Sequence, residues 1–215
     1  MTIRLRYQTV EFGKIDIHIR TLRDNQQYED KNQAAEKLGI SSAAWPLFGI
    51  LWPSSLELAK YISSLDIANK RILEVGCGIG LSSLLLNHMH ADITATDIHP
   101  CAQEFLGVNA VLNNDRVIPF ERLDWNSANS TLGRFDLIIG SDLLYESNHP
   151  VLLSNFIDSH ANKSCEVIII DPGRGQQGKF IKIMLTMGYS HMQGHLHGVA
   201  AHDNGKKYKL MRFSR

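Results

Sequence analysis

Residues 71–81 read Arg71-Ile72-Leu73-Glu74-Val75-Gly76-Cys77-Gly78-Ile79-Gly80-Leu81. A short apolar strand ends in an acid and runs into three glycines spaced two apart. A helical apolar run follows, and then a second strand, Ile93-Thr94-Ala95-Thr96-Asp97, which ends in another acid. Glycine has no Cβ, so such a loop turns sharply and lets a ligand approach its backbone. The helix after it presents free N–H groups that suit an anionic group. An acid at the tip of the second strand can accept hydrogen bonds from both hydroxyls of a ribose. A strand–loop–helix–strand unit of this kind belongs in an α/β sheet.

The rest of the chain repeats the alternation. Strands are expected at 71–75, 92–97, 117–123, 135–141 and 166–171. Helices are expected at 81–90, from Pro100 to about Asn113, at 150–160 and at 175–187. The central strands are near-continuous apolar runs, such as Leu137-Ile138-Ile139 and Val167-Ile168-Ile169-Ile170, as in a parallel sheet buried on both faces. Segments near 189–197 and 207–213 have no helix between them and read as an antiparallel hairpin at one edge. Residues 2–10 and 14–20 alternate about Phe12-Gly13 and read as an N-terminal hairpin. Residues 32–38 are weakly helical up to Gly39, and residues 41–49 read as a loop. Pro53 stands at a first helical position, before Leu56, Leu58, Ala59, Ile62 and Leu65. At 215 residues the chain reads as one globular unit, with residues 1–50 an extension and 51–215 the main domain.

In such sheets ligands sit beyond the C-terminal strand ends, and every one of these ends carries polar residues. The first has Glu74 and the glycines, the second Asp97, the third Asp124-Trp125. The fourth has Ser141-Asp142-Leu143-Leu144-Tyr145, the fifth Asp171-Pro172-Gly173-Arg174. The dinucleotide fingerprint G-x-G-x-x-G would need Gly or Ala at Leu81 or Ser83, and neither position has one.

The pattern E-x-G-x-G-x-G, with Asp97 seventeen residues beyond Gly80, resembles motif I of the class I S-adenosylmethionine (AdoMet) methyltransferases. Leu51-Trp52-Pro53-Ser54-Ser55-Leu56-Glu57-Leu58-Ala59 resembles the W-P-x-x-x-x-L-A segment of methyltransferase family 16. Asp142-Leu143-Leu144-Tyr145 matches that family's D-x-x-Y motif. The resemblance spans residues 44–145, about half the chain, and Trp45-Pro46 is similar to the branch that methylates electron-transfer flavoprotein lysines. It implies a Rossmann-like, seven-stranded, mostly parallel sheet with helices on both faces and an N-terminal β-hairpin. It also implies methyl transfer from AdoMet to a protein side-chain nitrogen, lysine first, and a monomer.

The same resemblance assigns the site. Glu74, Gly76, Cys77, Gly78, Gly80 and Ser141 belong to the cofactor loop and its mouth. Asp97 binds the ribose or caps the helix ahead of Pro100. Ile98 packs on the adenine, and Asp124 stands near its amino group. Trp125 lines the adenine pocket or covers the sheet edge. Trp52 packs over the methionine part of the cofactor or caps a helix entry. Asp142 and Tyr145 face the methyl acceptor, with Asp142 a candidate proton acceptor. Arg174 can read an acidic substrate surface, or its turn can simply steer the chain. Two other readings stay open: a small-molecule N- or O-methyltransferase, and a non-catalytic AdoMet-binding protein.

Composition excludes little. Lys plus Arg and Asp plus Glu number 22 each, so the formal charge is zero. No basic block marks a protein that holds nucleic acid mainly by neutralising phosphates, and no nucleic-acid partner is expected. No apolar run approaches the ~20 residues of a membrane span, and no signal-peptide core is present. The cysteines at 77, 101 and 165 are unpatterned and read as reduced thiols of a cytoplasmic protein. His195-x-His197 with His191 lacks a matching Cys or acid, and no metal is expected.

Overall fold

The period-two alternation of the apolar runs divides the interior into two cores. The computed structural model describes residues 4–24, 28–30, 32–127, 130–195 and 208–215. Strands β3 (Arg71–Val75), β6 (Phe135–Ser141) and β7 (Ala161–Asp171) lie side by side in a seven-stranded sheet. Ile72, Leu137, Ile139, Ile168 and Ile170 point into one core, and Leu73, Val75, Ile138, Val167 and Ile169 into the other. Successive side chains of a strand leave on opposite faces, so a run without polar breaks needs cover on both. Helices α1 (Pro53–Ile62), α2 (Leu81–His88) and α3 (Ala102–Leu112) cover the first face. Helices α4 (His149–His160) and α5 (Gln177–Thr186) cover the second.

With β4 (Asp92–Asp97), β5 (Phe120–Arg122), β8 (Ser190–His195) and β9 (Lys209–Ser214), the strand order is β5-β4-β3-β6-β7-β9-β8. β3 pairs in parallel with both β4 and β6, and only β9 runs antiparallel to its two neighbours. The chain moves outward from β3 to β5 and then returns to the other side of β3. The switch in strand order therefore lies between β3 and β6, where a crevice opens at the C-terminal strand ends. This is the expected Rossmann-like architecture.

Strands β1 (Leu5–Phe12) and β2 (Ile15–Leu22) form the expected antiparallel hairpin. Ile17, Ile19 and Leu22 are buried in the first core together with α2 and α3. Two asparagines one turn apart, Asn109 on α3 and Asn113 at its C-terminal cap, serve the open edge of β2. Asn109 Oδ1 accepts the Arg20 N–H at 2.7 Å, and Asn113 both accepts from His18 N–H and donates to its carbonyl at 2.8 Å. Side-chain amides thus stand in for a further strand at an edge that would otherwise carry unpaired backbone groups.

Several boundaries differ from the sequence reading. α3 begins at Ala102, not Pro100, because the His99 imidazole takes the Cys101 N–H at 3.1 Å and holds a turn there. β5 is three residues long, since its ladder with β4 runs only from Phe120 to Arg122. β7 starts at Ala161 directly after α4, with Cys165 and Arg215 exchanging both backbone hydrogen bonds. The weak helix at 32–38 is a single 3-10 turn, Glu36–Leu38, and residues 47–49 form another. Parts of the expected terminal strands, residues 2–3, 196–197 and 207, lie outside the described residues, as does His197. Among the described residues no helix is long and apolar enough to cross a membrane, and no cluster of His, Cys, Asp or Glu could hold a metal ion.

Candidate active site

The loop from β3 into α2 is built around two acids. The N–H of Gly78 donates to Asp97 Oδ2 and that of His99 to Asp97 Oδ1, both at 2.8 Å. Asp97 is half-buried, and burial raises its pKa against the pull of these N–H donors. Each oxygen keeps a lone pair free, so the carboxylate is oriented but not saturated. Glu74 lies lower, fully buried. Its Oε2 accepts the Ser83 N–H at 2.9 Å and the Ser83 hydroxyl. Burial pushes its pKa up to about 7, although the Ser83 donors favour the charged form. Glu74 therefore pins the first turn of α2 from beneath and does not line the cavity.

Gly78 is where the loop requires glycine. Its φ is +55°, and a Cβ there would stand 3.0 Å from the backbone carbonyl oxygen of Phe48, which cannot move aside as a side-chain tip could. A left-handed conformation alone costs a non-glycine residue ~1–2 kcal/mol. Gly78→Ala is expected to weaken nucleoside-cofactor binding about tenfold, read by calorimetric titration, and to lower the melting temperature by roughly 2–8 °C.

Two adjoining compartments open above this loop, with volumes of about 250 and 410 Å³. They share Gly76, Asp97, Ile98 and Tyr145 as walls. Trp52, Cys77, Gly78, Ser141 and Asp142 line the smaller one. Asp124 and Trp125 line the larger. All the residues singled out in the sequence thus meet at one cleft except Glu74 and Gly80, which support the loop from outside the cavity wall. Trp52 is fixed by its Nε1–H, which donates to the Leu47 carbonyl at 2.9 Å.

The remaining residues change the chemistry. Asp142, expected to face the acceptor as a candidate proton acceptor, accepts two N–H groups from Arg174: Nε at 2.7 Å and Nη2 at 2.8 Å. Tyr145 is half exposed, and burial of its phenol together with the carboxylates of Asp97, Glu146 and Asp142 pushes its pKa up to about 12, so it stays a neutral phenol. His149, which the sequence reading passed over, packs edge-on against both Trp125 and Tyr145, with ring centroids 5.1 and 4.5 Å away. Its Nδ1–H donates to the Leu143 carbonyl at 2.7 Å, so Nε2 is an acceptor, and burial lowers its pKa and keeps it neutral. His99 stacks on Phe48 at 3.9 Å and also lines the smaller compartment, with burial lowering its pKa to about 4. The far wall comes from Ile40, Ala44, Leu47 and Phe48. The only sequence signal for that wall is the resemblance carried by Trp45-Pro46, since residues 41–49 read simply as a loop.

The model of a family described as lysine methyltransferase matches residues 33–186, which include the whole site. The chain belongs to the lysine methyltransferase family. Among relatives of this family, the electron transfer flavoprotein beta subunit lysine methyltransferase of Mus musculus is 31% identical over 61% of this chain and 52% of its own length. Protein N-lysine methyltransferase METTL21A of Danio rerio is 30% identical over 65% of this chain and 63% of its own. The chain spans about half the length of the flavoprotein methyltransferases that it matches. The fold recurs in the T. thermophilus 16S rRNA N2 G1207 methyltransferase, solved with AdoMet and guanosine. That structure superposes on all of this chain and 51% of its own, with a TM-score of 0.66 and 14% identity. In this lysine methyltransferase family member the match begins at residue 33, so the wall segment 40–48 falls within the family region.

Proposed function

We propose that this family member transfers a methyl group from AdoMet to the side-chain amine of a lysine in a protein. The observation that carries the reading is the placement of Asp142 and Tyr145 in the same cavity wall as the Gly76–Gly78 loop and Asp97. The residues fit AdoMet: a Cβ at Gly78 would crowd the Phe48 carbonyl at 3.0 Å, and a half-buried carboxylate with free lone pairs stands beside it. The backbone of residues 76–78 would hold the amino-acid tail, Asp97 the ribose, and Ile98, Asp124 and Trp125 the adenine, with Trp52 against the methionine part. When bound, AdoMet supplies a methyl group on a sulfonium, an electrophile that needs alignment more than acid catalysis. The aromatic surfaces of Trp52 and Tyr145 favour cations at this mouth. A lysine must lose its proton before it attacks, and a low-dielectric cleft lowers the pKa of an amine that enters it.

Four of the relatives bear the name of the electron transfer flavoprotein beta subunit, so that protein is the first acceptor to try. We read the chain as a cytoplasmic monomer with reduced thiols, consistent with three free cysteines. The purified protein would be titrated calorimetrically with AdoMet and, separately, with NAD. It would then be incubated with labelled AdoMet in a lysate from cells lacking its gene. AdoMet binding with one labelled protein band, whose label maps to lysine, supports the proposal. Label confined to small molecules favours a metabolite enzyme, and absence of AdoMet binding overturns the reading.

A further inference from the structure

The Asp142–Arg174 ion pair stands between two spaces. On one side is the cofactor compartment of about 250 Å³. On the other is an outer cavity of about 270 Å³, lined by Trp52, Ser54, Pro172, Gly173 and Tyr208. Asp142 and Arg174 line both, as does Trp52. The pair is a wall common to both spaces, and an acceptor approaching through the outer cavity meets it first.

Both partners are set by the backbone. Asp142 has φ +56°, and its N–H donates to the Ile170 carbonyl at 2.8 Å, which locks β6 to β7 and fixes where the carboxylate starts. Arg174 leaves a turn that Asp171 ties down, Oδ1 accepting the N–H groups of Gly173 and Arg174 at 2.7 and 2.9 Å. The Asp142 side chain is 10% exposed and that of Arg174 41%, so the carboxylate is the fixed, inner member and the guanidinium the outer, movable one. Ser54, 1% exposed, adds a polar atom with no counterpart. The residue borders the outer cavity, and its buried hydroxyl has no hydrogen-bond partner among the described residues.

We propose that Arg174 is an internal stand-in for the acceptor's cation: it occupies Asp142 in the free protein and is displaced when a primary ammonium group enters through the outer cavity. This rests on the lysine-methyltransferase reading. An inner carboxylate stripped of its partner carries a large desolvation penalty, so it is exchanged between cations and not left bare. Arg174, the more exposed partner, swings toward solvent. The exchange selects for charge. An amide or a neutral imidazole offers Asp142 no replacement for the guanidinium and meets a closed pair.

The test uses n-butylammonium chloride as the lysine mimic and n-butanol as its neutral counterpart. Each is titrated into the whole protein, with and without S-adenosylhomocysteine, and followed by tryptophan fluorescence. Arg174→Gln is expected to bind n-butylammonium at least fivefold more tightly than the wild type. Arg174→Lys, which keeps the charge but loses the bidentate fork, should fall between them. Asp142→Asn should abolish the binding, and butanol should not distinguish the proteins. The proposal is overturned if Arg174→Gln binds the amine no more tightly than the wild type, or if Asp142→Asn retains its affinity. Near-ultraviolet circular dichroism of each variant checks folding. The amine titration without cofactor reads the exchange by itself, whereas failure to bind S-adenosylhomocysteine would count against the cofactor reading alone.

Discussion

Asp97→Ala is expected to weaken AdoMet binding by about 100-fold or more in calorimetric titration. Two losses combine. The ribose hydroxyls lose a charged acceptor, a hydrogen bond of the kind worth ~1.5–3 kcal/mol. The N–H groups of Gly78 and His99, both now bound to Asp97 at 2.8 Å, lose the anchor that holds the loop in shape. Asp97→Asn separates these effects. Its amide has one acceptor oxygen and turns an NH₂ toward one of the two backbone donors, so it can keep one loop contact but not both. A loss of about tenfold or more is expected for Asn, smaller than for Ala. If Asp97→Ala bound AdoMet like the wild type, Asp97 would only cap the turn ahead of α3.

Glu74→Gln is expected to flatten the pH dependence of stability. In the folded protein burial raises the Glu74 carboxyl from its ordinary 4.5 to about 7. A carboxyl raised by folding holds its proton more tightly in the native state than in the unfolded chain. Its stabilising contribution is complete below about pH 4.5 and is lost as pH rises towards 7. At ~1.4 kcal/mol for each tenfold change in affinity for the proton, the loss is about 3 kcal/mol. For a chain of this size that corresponds to roughly 6–12 °C in melting temperature. The glutamine cannot ionise, yet its carbonyl oxygen can still accept the Ser83 N–H. Urea unfolding at pH 5, 6, 7 and 8 should show the wild type losing stability relative to the variant across that window. Parallel curves would mean that Glu74 is charged throughout and that the Ser83 donors offset its burial. Glu74→Ala, by contrast, leaves the buried N–H of Ser83 unpaired and should destabilise at every pH.

Glu74 also marks the boundary of what a linear reading can reach. An acid two residues before the first glycine was legible as part of a cofactor loop. Its partner, Ser83, lies nine residues on, and only the turn of the loop between them brings the two together. The same holds more strongly for Asp142 and Arg174, which are 32 residues apart on different strand ends. Each was visible as a polar residue at a strand exit, but their pairing depends on β6 and β7 lying side by side in parallel register. His149 carried no signal at all. One histidine at a helix start resembles any other until Trp125 and Tyr145 are seen to flank it. His99, between Asp97 and Pro100, likewise carries no signal of its own.

Patterns that repeat along the chain were legible because they depend on nearest neighbours. Alternation of apolar residues decides which side chains leave each face of a strand. Pro53 starts α1 because proline lacks the N–H that a first helical turn leaves unpaired. The glycines at 76, 78 and 80 all adopt positive φ because the direction of β3 must reverse into α2 within a few residues. These local rules determined the sheet class, the cofactor loop, the acids at the strand ends and the hairpins at both ends of the chain. Tertiary structure alone decided which of those acids remain open to a ligand. Asp97 is held by two backbone donors and keeps free lone pairs, Glu74 is sealed beneath α2, and Asp142 is closed by a guanidinium. A carboxylate's role depends on the donors and the water around it, and those arrive from residues that sequence separates and folding brings together.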